Sequence, residues 1–117
     1  RLAIHVDEND PKVMNLALNN AQNVKAYYSA KGDDVIVELF AYGPGLNMYL
    51  ENSPVKERLE TLGVDESFKS SACNTTYTKM SKKAGKDLVL LSEAKKVPSG
   101  VVRLMELQKE GYAYLRP

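Results

Sequence analysis

The chain carries one cysteine, Cys73, and one histidine, His5. A lone thiol has no partner for an intramolecular disulfide, so any chemistry it does is that of a sulfur nucleophile or a persulfide carrier. Asn74, Thr75 and Thr76 follow it directly. If Cys73 ends a strand and those residues open a helix, free backbone amides and the positive helix end favour thiolate over thiol. The alternative is that Cys73 is a small buried hydrophobe, which is the commoner fate of a single cysteine. His5 could complete a Cys-His arrangement if it lay on a neighbouring strand, and otherwise reads as a packed, hydrogen-bonded strand histidine. Asp7, Glu8 and Asp10 could hold a divalent ion, but acids grouped just before a helix more often cap it. Lying close, they would also oppose thiolate formation. One Cys and one His exclude a structural zinc site, and no metal and no cofactor are expected. Gly43-Pro44-Gly45 is neither a dinucleotide fingerprint nor a phosphate loop, because the proline removes an amide and no Gly-Lys-Ser follows. It reads as a turn.

The elements that must position these residues alternate along the chain. Leu2 to Val6 is a short strand, and Asp7 to Pro11 supplies a cap and a proline for a first helical turn. Val13, Leu16, Ala17, Ala21, Val24 and Tyr28 then recur at spacings of three and four, which predicts a helix ended by Gly32. Asp34 to Ala41 is nearly continuous apolar and β-branched, as expected of a strand covered on both faces. A short helical segment around Leu46 to Leu50 follows, then a helix capped at Ser53-Pro54 and closed by Gly63. Ser67 to Cys73 is a weak strand, and Asn74 or Thr75 caps a helix to about Ala84. Either Leu88 to Leu91 or a run ending at Val97 forms the next strand. Pro98-Ser99-Gly100 opens a helix with Val101, Leu104, Met105 and Leu107 on one stripe, and Tyr112 to Leu115 is a last strand. Right-handed crossovers make this order a single α/β domain over 1–117, with a parallel sheet between helices.

Ligands of such sheets sit beyond the carboxyl ends of the strands. Four loops qualify: Asp7 to Asp10, Tyr42 to Gly45, Cys73 to Thr75, and Pro98 to Gly100. They bring Cys73 together with Asn74, Thr75, Thr76, Tyr42, Gly43, Gly45, Ser99, Gly100, His5 and Asp7 as candidate pocket residues. Composition narrows the partners. The 117 residues are 44% hydrophobic and 26% charged, with net charge +1, so nothing draws the chain to nucleic acid or an anionic membrane surface. Lys82, Lys83, Lys95 and Lys96 read as solvated surface charge. No apolar run approaches the roughly 18 residues of a membrane span. A soluble cytoplasmic protein is expected, or a periplasmic one if a signal peptide precedes Arg1.

A set of motifs adds a family. His5-Val6-Asp7-Glu8, Ala21-Gln22-Asn23, Ala41-Tyr42-Gly43-Pro44-Gly45 and Ala72-Cys73-Asn74-Thr75-Thr76 stand in order along the chain. The tail adds Val97-Pro98-Ser99-Gly100-Val101-Val102, Leu107-Gln108 and Gly111-Tyr112-Ala113-Tyr114-Leu115-Arg116-Pro117. Together they resemble the small single-domain members of the DsrE/DsrF-like (YchN-like) family over nearly the whole chain. The resemblance implies a three-layer flavodoxin-like fold with a mainly parallel five-stranded sheet, assembled into trimers or hexamers. It favours the strand ending at Val97. It also implies a persulfide on a cysteine at the end of the third strand, where Cys73 falls. The small members often read Cys-x-Asn-Thr, whereas here Thr75 replaces that Asn, so no role of the Asn side chain carries over.

Two functions are therefore expected. In the first, a homo-oligomer uses Cys73 to take sulfur from a donor protein and pass it to an acceptor. The amides of Asn74 to Thr76 steady the thiolate, and Tyr42, Gly43 and Ser99 wall the pocket. In the second, the chain is a binding or assembly module whose helix N-termini hold a small anion or nucleotide, and Cys73 is merely packed.

Overall fold

The computed structural model describes residues 1–117. Five strands alternate with four helices: β1 (Leu2–Val6), α1 (Pro11–Ser29), β2 (Val37–Ala41), a 3-10 helix (Gly43–Tyr49), α2 (Lys56–Leu62), β3 (Phe68–Cys73), α3 (Asn74–Ala84), β4 (Ala94–Val97), α4 (Gly100–Lys109) and β5 (Ala113–Leu115). Every neighbouring pair is parallel, in the order β4-β3-β2-β1-β5. The chain thus has the three-layer, flavodoxin-like α/β fold. From β1 to β4 each step moves one strand in the same direction, so right-handed crossovers put α1, α2 and α3 on one face. The step from β4 to β5 returns across the sheet and leaves α4 on the other. No helix is long and apolar enough to cross a membrane.

The two faces are packed unequally. The large core joins Ile4, Val6, Leu39 and Ala41 to Met14, Leu18, Leu46, Met48, Tyr49 and Leu59. Under α4 the buried apolar set is only Ala3, Phe40, Leu104 and Leu107, with Tyr112 at its margin. β1 and β2 are buried at every position, which explains why each is apolar except for one residue, His5 in β1 and Glu38 in β2.

Several boundaries and faces differ from the pattern reading. The stripe of α1 is Met14, Ala17, Leu18 and Ala21, while Leu16 is 47% and Tyr28 41% exposed. The stripe is centred one step round the helix, with Val13 and Val24 on its edges. In α4 the buried positions are Gly100, Leu104 and Leu107, and Val101 and Met105 face outward because the apolar patch beneath is narrow. α2 starts at Lys56, since Ser53 uses its hydroxyl to accept the Val55 N–H at 3.2 Å in the preceding turn. Leu88 to Leu91 is not a strand of the sheet: Leu90 forms one antiparallel bridge with Leu50, and the fourth strand ends at Val97. The second strand begins at Val37 rather than Asp34.

The entry to β3 is fixed electrostatically. One oxygen of Asp65 accepts the Ser67 N–H at 2.9 Å and its hydroxyl at 2.7 Å, and the other meets Lys25 Nζ at 3.0 Å. The Ser67 hydroxyl, then its amide, then Lys25 hold this carboxyl down at about 2, against an ordinary 3.8. A lowered folded-state pKa stabilises above the ordinary value and is lost as pH falls through about 2. Asp65→Asn should therefore flatten the fall of the urea midpoint between about pH 4 and 2. The group is half-exposed, so the contribution is below about 1 kcal/mol. Parallel midpoint curves for the variant and the parent would refute the assignment.

Candidate functional site

Cys73 is the last residue of β3 and the N-cap of α3, with φ −69° and ψ 115°. The cap position belongs to Cys73 itself, not to Asn74 or Thr75, and a thiol there lies against the first free amides of the helix. Its register partner on β4 is Val97, after which Pro98 and Ser99 lead straight into α4. Two helix N-termini therefore meet at one sulfur. Burial pushes the Cys73 thiol up, but the amides of Thr76 and Gly100, the Thr76 hydroxyl and the Thr75 amide outweigh it, leaving the thiol below its ordinary value. Cys73 is 5% exposed.

The loops are tied to one another around it. Thr76 Oγ1 accepts the Gly43 N–H at 3.0 Å, which fixes the loop after β2 and leaves the hydroxyl proton for the sulfur. Thr75 Oγ1 donates to the Pro98 carbonyl at 3.1 Å, fastening the start of α3 to the loop before α4. Gly100 is closely packed: a Cβ there would lie 2.6 Å from Tyr42 Cδ2 and 3.3 Å from Cys73 Cβ, so the Tyr42 ring would have to move. Gly45 is pressed against β1 in the same way. Ser99 is the N-cap of α4, and its side chain makes no capping bond. Asn74 is partly exposed beside the sulfur.

The remaining candidates form a second group. Tyr42 stacks on His5 with ring centroids 4.4 Å apart. His5 is 4% exposed, its Nδ1 lies 2.9 Å from the Tyr114 hydroxyl, and Nε2 has no partner. Burial pushes His5 down, with Asp7 opposing, and pushes Tyr42 up, with Asp7 adding to it. His5 is thus a packed strand histidine whose imidazole has Tyr114 as its one hydrogen-bond partner. No Cys-His pair forms, because β2 separates β1 from β3 and places Tyr42 in between. Of the loop acids, Asp7 pairs with Arg116 at 3.2 Å and Asp10 caps α1 by accepting the Lys12 N–H at 2.9 Å. No three His, Cys, Asp or Glu side chains gather in metal-binding geometry.

With this arrangement in view, the chain can be set beside known proteins. It is similar over its whole length to a solved structure, the protein of unknown function MTH1491 from Methanobacterium thermoautotrophicum. The two share 28% identity and a TM-score of 0.81, and the match covers 98% of that chain. No protein-family model matches, and no protein of curated function matches.

Pattern reasoning missed four residues on the α4 side of the sheet. Glu38 on β2, 2% exposed, accepts the Ser71 hydroxyl at 2.9 Å and both Arg103 Nε at 3.0 Å and Nη2 at 3.1 Å. Tyr114, also unanticipated as a site residue, is the partner of His5. Beside Glu38, a cleft of about 870 Å³ lies over β3 and β4, where no helix covers the sheet; Lys69, Ser71, Lys95, Ser99 and Arg103 help line it.

Proposed function

We propose that the protein handles sulfur: Cys73 is a nucleophile that takes up a sulfane sulfur as a persulfide and gives it to a thiol acceptor. The observation that carries this is that Cys73 caps α3 while Gly100, the first residue of α4, packs against it, so two helix N-termini face one thiol and favour its thiolate. The resemblance to DsrE/DsrF-like proteins supports it, since the persulfide cysteine of that family stands where Cys73 stands. A homo-oligomer, trimer or hexamer, belongs to the same reading, with a separate sulfur donor or acceptor protein.

The step needs no oxidant. The Cys73 thiolate attacks the outer sulfur of a donor persulfide, a new S–S bond forms, and the donor thiol leaves with the electron pair of the broken one. An acceptor thiolate then attacks the outer sulfur on Cys73 and releases the Cys73 thiolate. Amides of Thr75, Thr76 and Gly100 hold that thiolate both as attacker and as leaving group. The Thr76 hydroxyl adds a fourth donor.

The near-complete burial of Cys73 favours one other reading, a binding module for a small anion in which the thiol is only packed. Intact mass of the native protein after exposure to inorganic polysulfide, with the pH profile of Cys73 alkylation, separates them. Sulfur handling predicts a reducible gain of about 32 Da and an alkylation midpoint below that of a free thiol. An inert thiol without an adduct would defeat it and leave the binding module.

A further inference from the structure

We propose that the Glu38–Arg103 ion pair is a positioning device that holds the first turn of α4, and with it the Gly100 amide, against Cys73. It rests on the reading of Cys73 as a thiolate nucleophile, and adds residues that touch neither sulfur donor nor acceptor.

Apart from this ion pair, α4 is weakly held. Its apolar anchors, Leu104 and Leu107, sit on Ala3 and Phe40 of β1 and β2. Its first turn has none, since Val101 and Val102 are exposed and Gly100 has no side chain. Yet that turn must reach over β3 to place an amide on the sulfur. Arg103 closes it, donating its own N–H to the Ser99 carbonyl at 3.0 Å. Its guanidinium forks onto both oxygens of Glu38. Ser71, two residues before Cys73 on β3 and on the same face, donates to Glu38 Oε2. One carboxylate thus joins β2, β3 and α4, the elements whose ends build the site.

The arrangement is costly if stability is its only role. A carboxylate taken out of water in the middle of a strand loses hydration that its ion pair only partly restores, and an apolar side chain often serves stability as well. What a fork of two parallel bonds provides that an apolar contact cannot is a fixed direction. Gly100 tolerates little drift, with Tyr42 and Cys73 both in contact range of the missing Cβ. The other titratable or charged groups around the sulfur are Tyr42 at the end of β2, His5 and Asp7 beyond it, and Lys95 on β4, the register partner of Ser71.

The test is the pH midpoint of Cys73 alkylation by iodoacetamide in the full-length protein, because charge and position act with opposite signs. Glu38→Gln removes a negative charge, which by itself lowers the midpoint. It also turns an amide against the guanidinium and breaks the fork, which raises the midpoint if the fork positions Gly100. The expected result is a rise of about half a unit to one unit. A fall, or no change in a folded variant, overturns the proposal. Should Glu38→Gln not fold, Arg103→Lys against Arg103→Met decides it. Lysine keeps the charge but not the fork, so its midpoint should rise with that of methionine; a midpoint equal to the parent's overturns the proposal. Sulfane loading plays no part in this readout, so the carrier reading can fail while the positioning role stands, and the reverse.

Discussion

Cys73→Ala is expected to leave no sulfur adduct after polysulfide treatment while the protein stays folded. The chain has no second cysteine, so every gain of about 32 Da must sit on Cys73 if persulfide is what forms. Folding survives because the substitution removes a single heavy atom from a buried position, at a cost of about 1 kcal/mol. For a domain of this size that lowers the melting temperature by roughly 4 °C. Cys73→Ser refines the result. Its hydroxyl lies at the same helix N-terminus, where serine is a favoured cap, so it should be at least as stable as alanine, yet equally unable to load. An adduct of undiminished size on the alanine variant would mean that sulfur resides elsewhere, and the carrier would be lost as an idea.

Of changes at the glycines, Gly45→Ala should damage the fold most. Its Cβ would stand 2.2 Å from the Val6 carbonyl oxygen, 2.7 Å from the Val6 carbonyl carbon and 2.9 Å from Asp7 Cα. All three are backbone atoms at the end of β1, so no side-chain rotation relieves the clash. The 3-10 helix must instead move off the strand. That movement carries the Gly43 N–H away from Thr76 and Tyr42 away from His5, so the site is lost with the packing. We expect about 3 kcal/mol or more of destabilisation, read from the urea midpoint. A midpoint within error of the parent's would contradict the close approach. Gly100→Ala offers the contrast, since its 2.6 Å clash is with a ring carbon of Tyr42 that can swing.

The sheet was legible because β1 and β2 are buried on both sides and leave short, nearly continuous apolar runs bounded by polar and glycine-rich turns. β3 was fainter for a physical reason. Its α4 side carries Lys69 and Ser71 over the open cleft, so only half of its positions need be apolar. The place of Cys73 followed from topology, because strand ends meet helix starts on one edge of a parallel sheet. The Gly100 amide did not follow, since α4 reaches the sulfur through a pairing of Cys73 with Val97 that no local pattern encodes. Glu38 did leave a trace, as one acid inside Val35-Ile36-Val37-Glu38-Leu39-Phe40. Its partner lies 65 residues further on, and sequence spacing has no means to join them. The stripes of α1 and α4 were displaced because both helices offer more apolar residues than the sheet can cover, leaving Leu16, Tyr28, Val101 and Met105 outside.

The return of the chain across the sheet has a dynamic consequence. β5 is three residues long and pairs with β1, and α4 before it rests on two leucines and one ion pair. As an edge strand, β5 can leave β1 without breaking any other pairing in the sheet. This segment is therefore the cooperative unit with the lowest free energy of opening, and its amides should be the first in the sheet to exchange with solvent. When it opens, Cys73 is uncovered but loses the Gly100 amide in the same event. Access to the sulfur and activation of the sulfur are then opposed, so exposure by local unfolding yields a visible but ordinary thiol, while the closed state keeps a hidden, reactive one.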